Sequence, residues 1–339
     1  MFKKYRAGHN NKEHSNILIS PFLRIIQKLY GWSSFFGTLN VLKNINGGLT
    51  MSKKFNVGFI GTGVMGKSLV KHLLNAHHEV TIYTRTKEKA SDLVKEGAVL
   101  VSSPSEVAKK VEILFTMVGY PHDVEEVYFG DNGIFQIDNV NLIVIDMTTS
   151  TPTLAKKIEE KAKGKGMLSL DAPVSGGDIG AQLGKLSIMC GGEKSTFEQA
   201  LPILSLFGET ILYQGAAGAG QHTKMCNQIT IATGMIGVCE ALAYGRKAGL
   251  DLDQVLRSIS TGAAGSWSLS NLAPRMIAGN NEPGFYIKHF VKDMKIALEE
   301  ADKMGLQLPG LALAKSLYEE LMEEGYSENG TQALINMYK

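Results

Sequence analysis

The 339-residue sequence contains few cysteines, little net charge and no long apolar run. Its three cysteines, Cys190, Cys226 and Cys239, form no CxxC pair, which disfavours a zinc site or a disulfide framework and indicates free thiols in a reducing compartment. The formal net charge of +2 favours neither a nucleic-acid binder nor an acidic-surface protein. The apolar stretch 17–39 is interrupted by Pro21 and by charged residues, so it falls short of the roughly 18 uninterrupted apolar residues of a membrane helix. With 44% hydrophobic and 20% charged residues, the chain can bury one large or two modest cores.

Residues 1–50 differ in composition from the rest of the chain. They carry seven basic residues and one acidic residue, Glu13, whereas the remaining chain is slightly acidic. Three interpretations are open: a mitochondrial transit peptide, a membrane-surface segment around 22–36, and translation that begins at Met51. The third is favoured because Met51 lies four residues before the first predicted strand. It predicts a cytoplasmic protein rather than one of the mitochondrial matrix, with 1–50 as a basic extension that is disordered or not translated.

A glycine-rich segment follows the first predicted strand, 55–60. It reads Gly61, Thr62, Gly63, Val64, Met65 and Gly66, and an amphipathic helical pattern comes directly after it. Strand, G-x-G-x-x-G and helix are the context of the dinucleotide-binding fingerprint. The first glycine allows a tight turn, the second lets a pyrophosphate approach the backbone, and the third lets helix and strand pack closely. The segment therefore predicts a nucleotide site at a helix N-terminus, a structural glycine turn being the alternative.

The end of the second predicted strand, 80–83, bears on which nucleotide binds. NAD sites place an acidic residue there to accept hydrogen bonds from the ribose, whereas this sequence has Thr84, Arg85 and Thr86. A guanidinium suits a 2′-phosphate, and two hydroxyl groups can add hydrogen bonds. The pattern favours NADP over NAD, the alternative being that Arg85 is an ordinary surface cation.

Further strands are predicted at 99–102, 112–117 and 142–147, with helices opening at Pro104 and Pro152. The alternation predicts a doubly wound α/β sheet. Val118 and Thr149 follow strand ends, where ligands bind in such sheets.

Three downstream segments have the composition of a reactive site. Asp171–Gly177 is predicted as a strand that ends in a glycine turn, where Ser175, Gly176 and Gly177 offer donors suited to a carboxylate; a plain turn is the alternative. Gly218–Gln228 leads into a long helix running to about Ala248.

Lys224 lies in the first turns of that helix, with Asn227 and Gln228 three and four residues further on and hence on its face. A partly buried lysine has a lowered pKa and can give a proton to a developing alkoxide, although an isolated helix lysine is more often a solvated one. In the third segment, 285–295, Lys288, Lys292 and Lys295 recur at helical spacing; a basic face near phosphates and a solvated charged face both fit this pattern.

Four motifs in order, GFIGTGVMG, DAPVSGG, GAGQHTKMCNQ and KHFVKDMKIAL, give the chain from about Phe55 onward a resemblance to the β-hydroxyacid dehydrogenase family. The resemblance implies a Rossmann-like NADP-binding domain, 51–214, followed by an all-helical substrate and dimerisation domain, 215–339. It also implies roles for single residues. Lys224 would be the catalytic acid/base, Ser175 with Gly176 and Gly177 would hold a substrate carboxylate, Thr149 and Lys292 would contact the cofactor, Asp293 would lie nearby, and Phe285 would be a substrate-pocket aromatic.

One departure from the family is the placement of the amides. Many members have Asn four residues after the lysine, whereas this chain has Asn227 and then Gln228, so which amide contacts substrate stays open.

The leading hypothesis is an NADP(H)-dependent enzyme that interconverts a short β-hydroxy acid and the matching aldehyde acid. NAD-dependent oxidation of 3-hydroxyisobutyrate, a 6-phosphogluconate dehydrogenase, an imine reductase and a non-catalytic NADP-binding scaffold are the alternatives. A 6-phosphogluconate dehydrogenase would need a much longer helical domain. Lys224 argues against an imine reductase, and Lys224 together with Ser175 argues against a scaffold. The expected partners are a small carboxylate substrate and further copies of the chain in a homodimer or homotetramer, with no nucleic acid and no membrane.

Overall fold

A computed structural model describes residues 53–338, so the predictions about residues 1–50 lie outside the described part of the chain. Within this part, the strands form one mixed sheet: β1 (Asn56–Ile60), β2 (Glu79–Tyr83), β3 (Val99–Leu100), β4 (Ile113–Thr116), β5 (Ile143–Asp146), β6 (Leu168–Asp171), β7 (Val174–Ser175), β8 (Leu186–Gly192) and β9 (Gly208–Gly215). The first six are parallel in the order β3-β2-β1-β4-β5-β6. The chain thus winds outward in both directions from β1, and a crevice opens at the carboxyl ends of β1 and β4.

Helices cover both faces of this sheet: α1 (Val64–Asn75), α2 (Ser91–Lys95), α3 (Pro104–Ala108), α4 (Pro121–Phe129), α5 (Pro152–Gly164), α6 (Gly177–Leu183) and α7 (Lys194–Leu204). Two separate hydrophobic clusters pack on the two faces, which confirms the predicted doubly wound sheet. Two helix starts are also confirmed. Ser103 and Thr151 accept hydrogen bonds from backbone N–H groups three residues on, just before the prolines at the first helical positions.

The prediction of a single strand over Asp171–Gly177 is wrong. Asp171 ends β6, and Val174 with Ser175 forms β7, which pairs antiparallel with β8. Pro173 explains the break, because it has no N–H for a ladder bond and its carbonyl instead accepts the N–H of Met189 in β8. The antiparallel extension through β7, β8 and β9 was not predicted.

The remainder of the described chain is helical: α8 (Ala219–Lys247), α9 (Leu252–Ile259), α10 (Trp267–Asn271), α11 (Ala273–Ile277), α12 (Ile287–Lys303), α13 (Pro309–Leu321), a π-helical turn (Met322–Tyr326) and a 3₁₀ segment (Thr331–Met337). A third cluster, with Met235, Phe290 and Tyr318 fully buried, packs α8 against α12 and α13. The predicted order, a Rossmann-like sheet followed by an all-helical region, is confirmed. Between residues 53 and 338, no helix has the length and apolar character needed to span a bilayer.

Candidate active site

The glycine-rich turn after β1 leaves open space where a phosphate chain would lie. Gly61 has φ +98°, and a side chain there or at Gly66 would collide with a backbone carbonyl, of Met117 and of Gly61 respectively. Gly63, in contrast, has nothing within 4 Å of where a Cβ would stand. No side chain caps the start of α1, and the hydroxyl of Thr62 is buried without a hydrogen-bond partner among the described residues. These features fit a dinucleotide pyrophosphate.

The residues after β2 lie beside the start of α4. Arg85 donates from Nη1 to Oδ1 of Asp123 over 2.8 Å, and Thr84 and Thr86 flank the arginine at the surface. Asp123 was not predicted as a site residue. The sequence around it, Tyr-Pro-His-Asp, indicates a helix start with a carboxylate at the third helical position. There Asp123 accepts the N–H of Tyr120 over 3.0 Å.

A buried carboxylate organises the loops after β4 and β5. Asp146 accepts hydrogen bonds from Thr116 Oγ1 over 2.8 Å and from the N–H of Thr148 over 3.0 Å. Thr148 Oγ1 in turn accepts the N–H of Val118 over 3.0 Å, so both loops are joined. Complete burial raises the pKa of Asp146 to about 6, against the effect of its hydrogen bonds.

Helix α12 reaches the same edge of the sheet through Lys292. Its Nζ donates to the carbonyl of Thr149 over 2.8 Å and to that of Gly119 over 3.3 Å. Lys292 therefore lies between the two loops predicted to contact cofactor. The other two lysines of the segment face elsewhere, since Lys288 pairs with Glu328 and Lys295 lies 3.9 Å from Glu299. The helical spacing of the three lysines therefore did not indicate which of them belongs to the site, because Lys292 alone of the three turns inward.

Two buried residues tie the first turn of α8 to the sheet. Asp171, at the end of β6, accepts the N–H groups of Gly218 and Gln221, each over 2.8 Å. The side chain of Gln221 is fully buried; it accepts the N–H of Ser150 over 2.9 Å and donates to the carbonyl of Thr148 over 2.8 Å. Both residues stand inside motifs that the sequence displays, but their role depends on partners far away in the chain.

Lys224 lies one turn further along α8 and is 6% exposed. Burial lowers the pKa of its amine to about 8; Asp293 opposes this shift and Lys292 adds to it. Asp293, also buried, accepts a 2.6 Å hydrogen bond from Gln228 Nε2, and Gln228 Oε1 accepts one of 2.7 Å from Asn227. The other oxygen of Asp293 lies 3.0 Å from Lys292 Nζ as an ion pair without hydrogen-bond geometry. The buried amine of Lys224 is thus coupled electrostatically to an ordered polar network.

The glycine turn after β7 faces the beginning of α12. Gly176 and Gly177 have φ of +128° and +63°, values that favour glycine, and Ser175 beside them is partly exposed. A Cβ on Gly177 would lie 3.6 Å from the carbonyl of Gly284, next to Phe285. Phe285 is partly exposed and packs edge-to-face on Phe290. The turn predicted for the substrate carboxylate and the segment that bears the predicted aromatic residue therefore lie next to each other.

A nucleotide crevice at the carboxyl edge of a doubly wound sheet, closed by a helical region that brings a buried lysine to that edge, defines the class of NAD(P)-dependent dehydrogenases. Two family models together match most of the described chain. Residues 56–215 match the NAD binding domain of 6-phosphogluconate dehydrogenase, and residues 218–338 match the NAD-binding region of NADP-dependent 3-hydroxyisobutyrate dehydrogenase.

Individual relatives agree with these matches. The chain is 61% identical over 285 residues to an uncharacterized oxidoreductase of Bacillus subtilis, covering 84% of this chain and 99% of the relative. It is 45% identical to a probable mitochondrial 3-hydroxyisobutyrate dehydrogenase-like protein of Arabidopsis thaliana (89% and 91% covered) and 37% identical to the 2-hydroxy-3-oxopropionate reductase of Escherichia coli (82% and 96% covered). The solved 3-hydroxyisobutyrate dehydrogenase of Mycobacterium tuberculosis with L-serine superposes with a TM-score of 0.79 at 27% identity, covering 85% of this chain and all of that one. The chain belongs to the β-hydroxyacid dehydrogenase family.

Proposed function

We propose that the protein interconverts a short aldehyde acid and the corresponding β-hydroxy acid with NADP(H), and that Lys224 is the general acid/base. The observation that carries the proposal is the buried amine of Lys224, whose pKa of about 8 lies close to physiological pH, at the edge of the sheet where the nucleotide crevice opens. A proton donor with a pKa near the working pH is well suited to both directions of such a reaction.

For reduction, a nicotinamide held in the crevice would supply the hydride for the carbonyl carbon. Lys224 donates a proton from Nζ to the carbonyl oxygen, so that a hydroxyl group forms and the amine is left neutral. In the reverse direction the neutral amine accepts that proton. Asp293 favours the charged form of Lys224, and Gln228 holds Asp293 in place through the 2.6 Å hydrogen bond. We assign Gln228 this positioning role, and we propose Asn227, whose side-chain amide donates to Gln228 Oε1, as the amide that contacts the substrate.

The substrate carboxylate is proposed to bind at the turn after β7. The hydroxyl of Ser175 and the backbone N–H groups of Gly176 and Gly177 supply donors there. Phe285, which follows Gly284 beside this turn, is proposed as an apolar wall that selects a short substrate. Asp293, near Lys224, is proposed to complete the polar side of the substrate site.

The cofactor assignment rests on the residues after β2. Thr84, Arg85 and Thr86 offer cationic and hydroxyl donors for a 2′-phosphate, and NADP is therefore preferred to NAD. Gly61 to Gly66, with Thr62, Val64 and Met65 between the glycines, would receive the pyrophosphate, while Val118, Thr149 and Lys292 would line the crevice further along. NAD-dependent oxidation of 3-hydroxyisobutyrate is the second candidate, supported by the 76% exposure of the Arg85 side chain, which fits an ordinary surface cation.

The test is a spectrophotometric assay of the purified protein with glyoxylate, succinic, tartronate and methylmalonate semialdehydes, each with NADPH and with NADH. We expect turnover that prefers NADPH and is lost in Lys224→Ala, with NADPH binding intact. Lys247→Ala is the matched control, because that lysine lies exposed in the last turn of the same helix. Tight NADPH binding without turnover on any of these substrates would refute the proposal in favour of an imine reductase or a scaffold.

Three broader assignments accompany the reaction. Residues 51–214 are proposed as the NADP-binding domain and 215–339 as the substrate and dimerisation domain, supported by the change from β9 to α8 at this boundary. A homodimer or homotetramer is supported by exposed apolar side chains such as Tyr244 on α8, and light scattering tests it. A cytoplasmic location is supported by the buried free thiols of Cys190 and Cys239, and fractionation of the source cells tests it.

A further inference from the structure

The ion pair between Arg85 and Asp123 crosses the nucleotide crevice. Arg85 follows β2 and Asp123 lies in the first turn of α4, which follows β4; both strands are neighbours of β1. Because β1 leads into the turn at Gly61, the two side chains must meet above the start of that turn. The adenosine end of a dinucleotide binds in this part of a doubly wound sheet.

The two partners of this pair differ sharply in freedom. The Asp123 side chain is 7% exposed, and its Oδ2 accepts the N–H of Tyr120 over 3.0 Å at the start of α4. Its position is therefore set by the helix itself. The Arg85 side chain is 76% exposed, and without Asp123 its flexible stem of three methylene groups would leave the guanidinium free to sample many rotamers. The carboxylate thus decides where the guanidinium stands.

The contact leaves most of the guanidinium available to a ligand. Of its five N–H donors, the one contact to a carboxylate in the described structure is from Nη1 to Oδ1, at 2.8 Å. A carboxylate that sequestered the arginine would engage two N–H groups in parallel. Because this contact uses one N–H group, a phosphate can bind other donors of the guanidinium without displacing Asp123.

We propose that Asp123 is a positioning residue for cofactor specificity: it holds Arg85 so that the guanidinium meets the 2′-phosphate of NADP. The inference rests on the NADP preference proposed above and adds a second residue to it, contributed by a different strand-helix connection. Two effects oppose each other, since the carboxylate lowers the local positive potential while it removes conformational freedom from the arginine. The one-point contact favours the second effect, and Asp123 therefore strengthens NADP binding.

The test is isothermal titration of the full chain with two probes, 2′,5′-ADP and 5′-AMP, which differ by the 2′-phosphate alone. Asp123→Asn keeps an oxygen for the N–H of Tyr120 and removes the charge that holds Arg85. Arg85→Ala removes the guanidinium that is proposed to bind the 2′-phosphate. Glu96→Gln is the matched control, because it neutralises an exposed carboxylate that pairs with Lys71 over 2.7 Å.

We expect the wild-type protein to prefer 2′,5′-ADP, and Arg85→Ala to lose most of that preference. Asp123→Asn should weaken 2′,5′-ADP about 5-fold to 10-fold, the effect of a typical hydrogen bond, and leave 5′-AMP within about 2-fold. If Asp123→Asn and Glu96→Gln preferred 2′,5′-ADP over 5′-AMP equally, Asp123 would serve as a helix cap without a role in specificity. If Asp123→Asn bound 2′,5′-ADP more tightly than the wild-type protein, Asp123 would compete with the phosphate for Arg85. Either result overturns the inference. A wild-type protein without preference would instead show that the proposed NADP preference has failed, and the inference with it.

Discussion

Replacement of Gln221 by leucine tests how much the Gln221 side chain, which acts together with Asp171, contributes to fastening the helix that bears Lys224 to the sheet. The substitution nearly preserves the volume of the side chain but removes both hydrogen bonds of the amide. The N–H of Ser150 and the carbonyl of Thr148, both in almost fully buried residues, are then left without these partners.

Each buried polar group that loses its partner costs about 1 to 3 kcal/mol, or about 2 to 6 kcal/mol for the pair. The leucine, being apolar, offsets part of this loss by burial of its own surface. We therefore expect the free energy of unfolding to fall by about 2 to 4 kcal/mol. Because Thr149 lies between the two affected peptide groups, and Lys224 three residues after position 221, kcat should fall by about 10-fold or more.

The assay combines urea unfolding followed by circular dichroism with NADPH turnover on whichever semialdehyde is the best substrate. Asn139→Leu is the matched control: the Asn139 amide donates to the carbonyls of Ala108 and Val111, over 2.7 and 3.0 Å, at the opposite edge of the sheet. It should lower the urea midpoint with kcat unchanged. If Gln221→Leu also kept its kcat, the reasoning about the position of α8 would be refuted, whatever the loss in stability.

Three further predictions concern the glycine turn, Lys224 and Asp146. Gly63→Ala should keep the urea midpoint, since open space surrounds its Cβ, yet weaken NADPH binding about 10-fold or more; Gly66→Ala should lower the midpoint as well, because its Cβ meets the carbonyl of Gly61. Equal midpoints in the two variants would contradict this. The kcat/KM for reduction should fall as pH rises through the Lys224 pKa of about 8, since the proton donor is lost, and the kcat/KM for oxidation should rise over the same range. Asp293→Asn should move both limbs to lower pH, because this carboxylate raises the pKa of Lys224; an upward shift would exclude the assignment. Burial raises the pKa of Asp146 from 3.8 to about 6, so its favourable contribution to stability is present below pH 3.8 and is lost as pH rises through 6. Asp146→Asn should therefore raise the urea midpoint at pH 7.5, corresponding to a gain of up to about 3 kcal/mol in the free energy of unfolding. It should also flatten the dependence of stability on pH between pH 4 and 6. A lower midpoint at pH 7.5 would count against burial as the cause of the raised pKa.

Local signals in the sequence were sufficient for most of the Rossmann-like region. A glycine turn between strand and helix, and a proline after a serine or threonine cap, depend on neighbouring residues alone, so the starts of α1, α3 and α5 could be predicted. The break after Asp171 could have been anticipated from Pro173, but the pairing of β7 with β8 depends on a partner strand that follows a helix.

The scaffold of the site depends on contacts between residues distant in sequence. Asp171 meets Gln221 across 50 positions, Gln221 meets Thr148 across 73, and Arg85 meets Asp123 across 38. The local sequence around each of these side chains does not mark it as part of the site. Their roles follow from the order of the strands, which brings the carboxyl ends of β2, β4, β5 and β6 to one edge.

The fastening of α8 also determines how the two regions can move apart. The first turn of α8 is bound to β6 through Asp171 and to the loop after β5 through Gln221. The connection at 216–218 can therefore serve as an axis of rotation while this turn stays attached to the sheet. Elsewhere between the two regions, the glycine turn at Gly177 faces the carbonyl of Gly284, and neither glycine has a side chain that could join the two sides. We therefore expect a rotation that releases Lys292 from the carbonyls of Gly119 and Thr149 to widen the side between Gly177 and Gly284, and to displace Lys224 least because α8 stays attached to the sheet close to it.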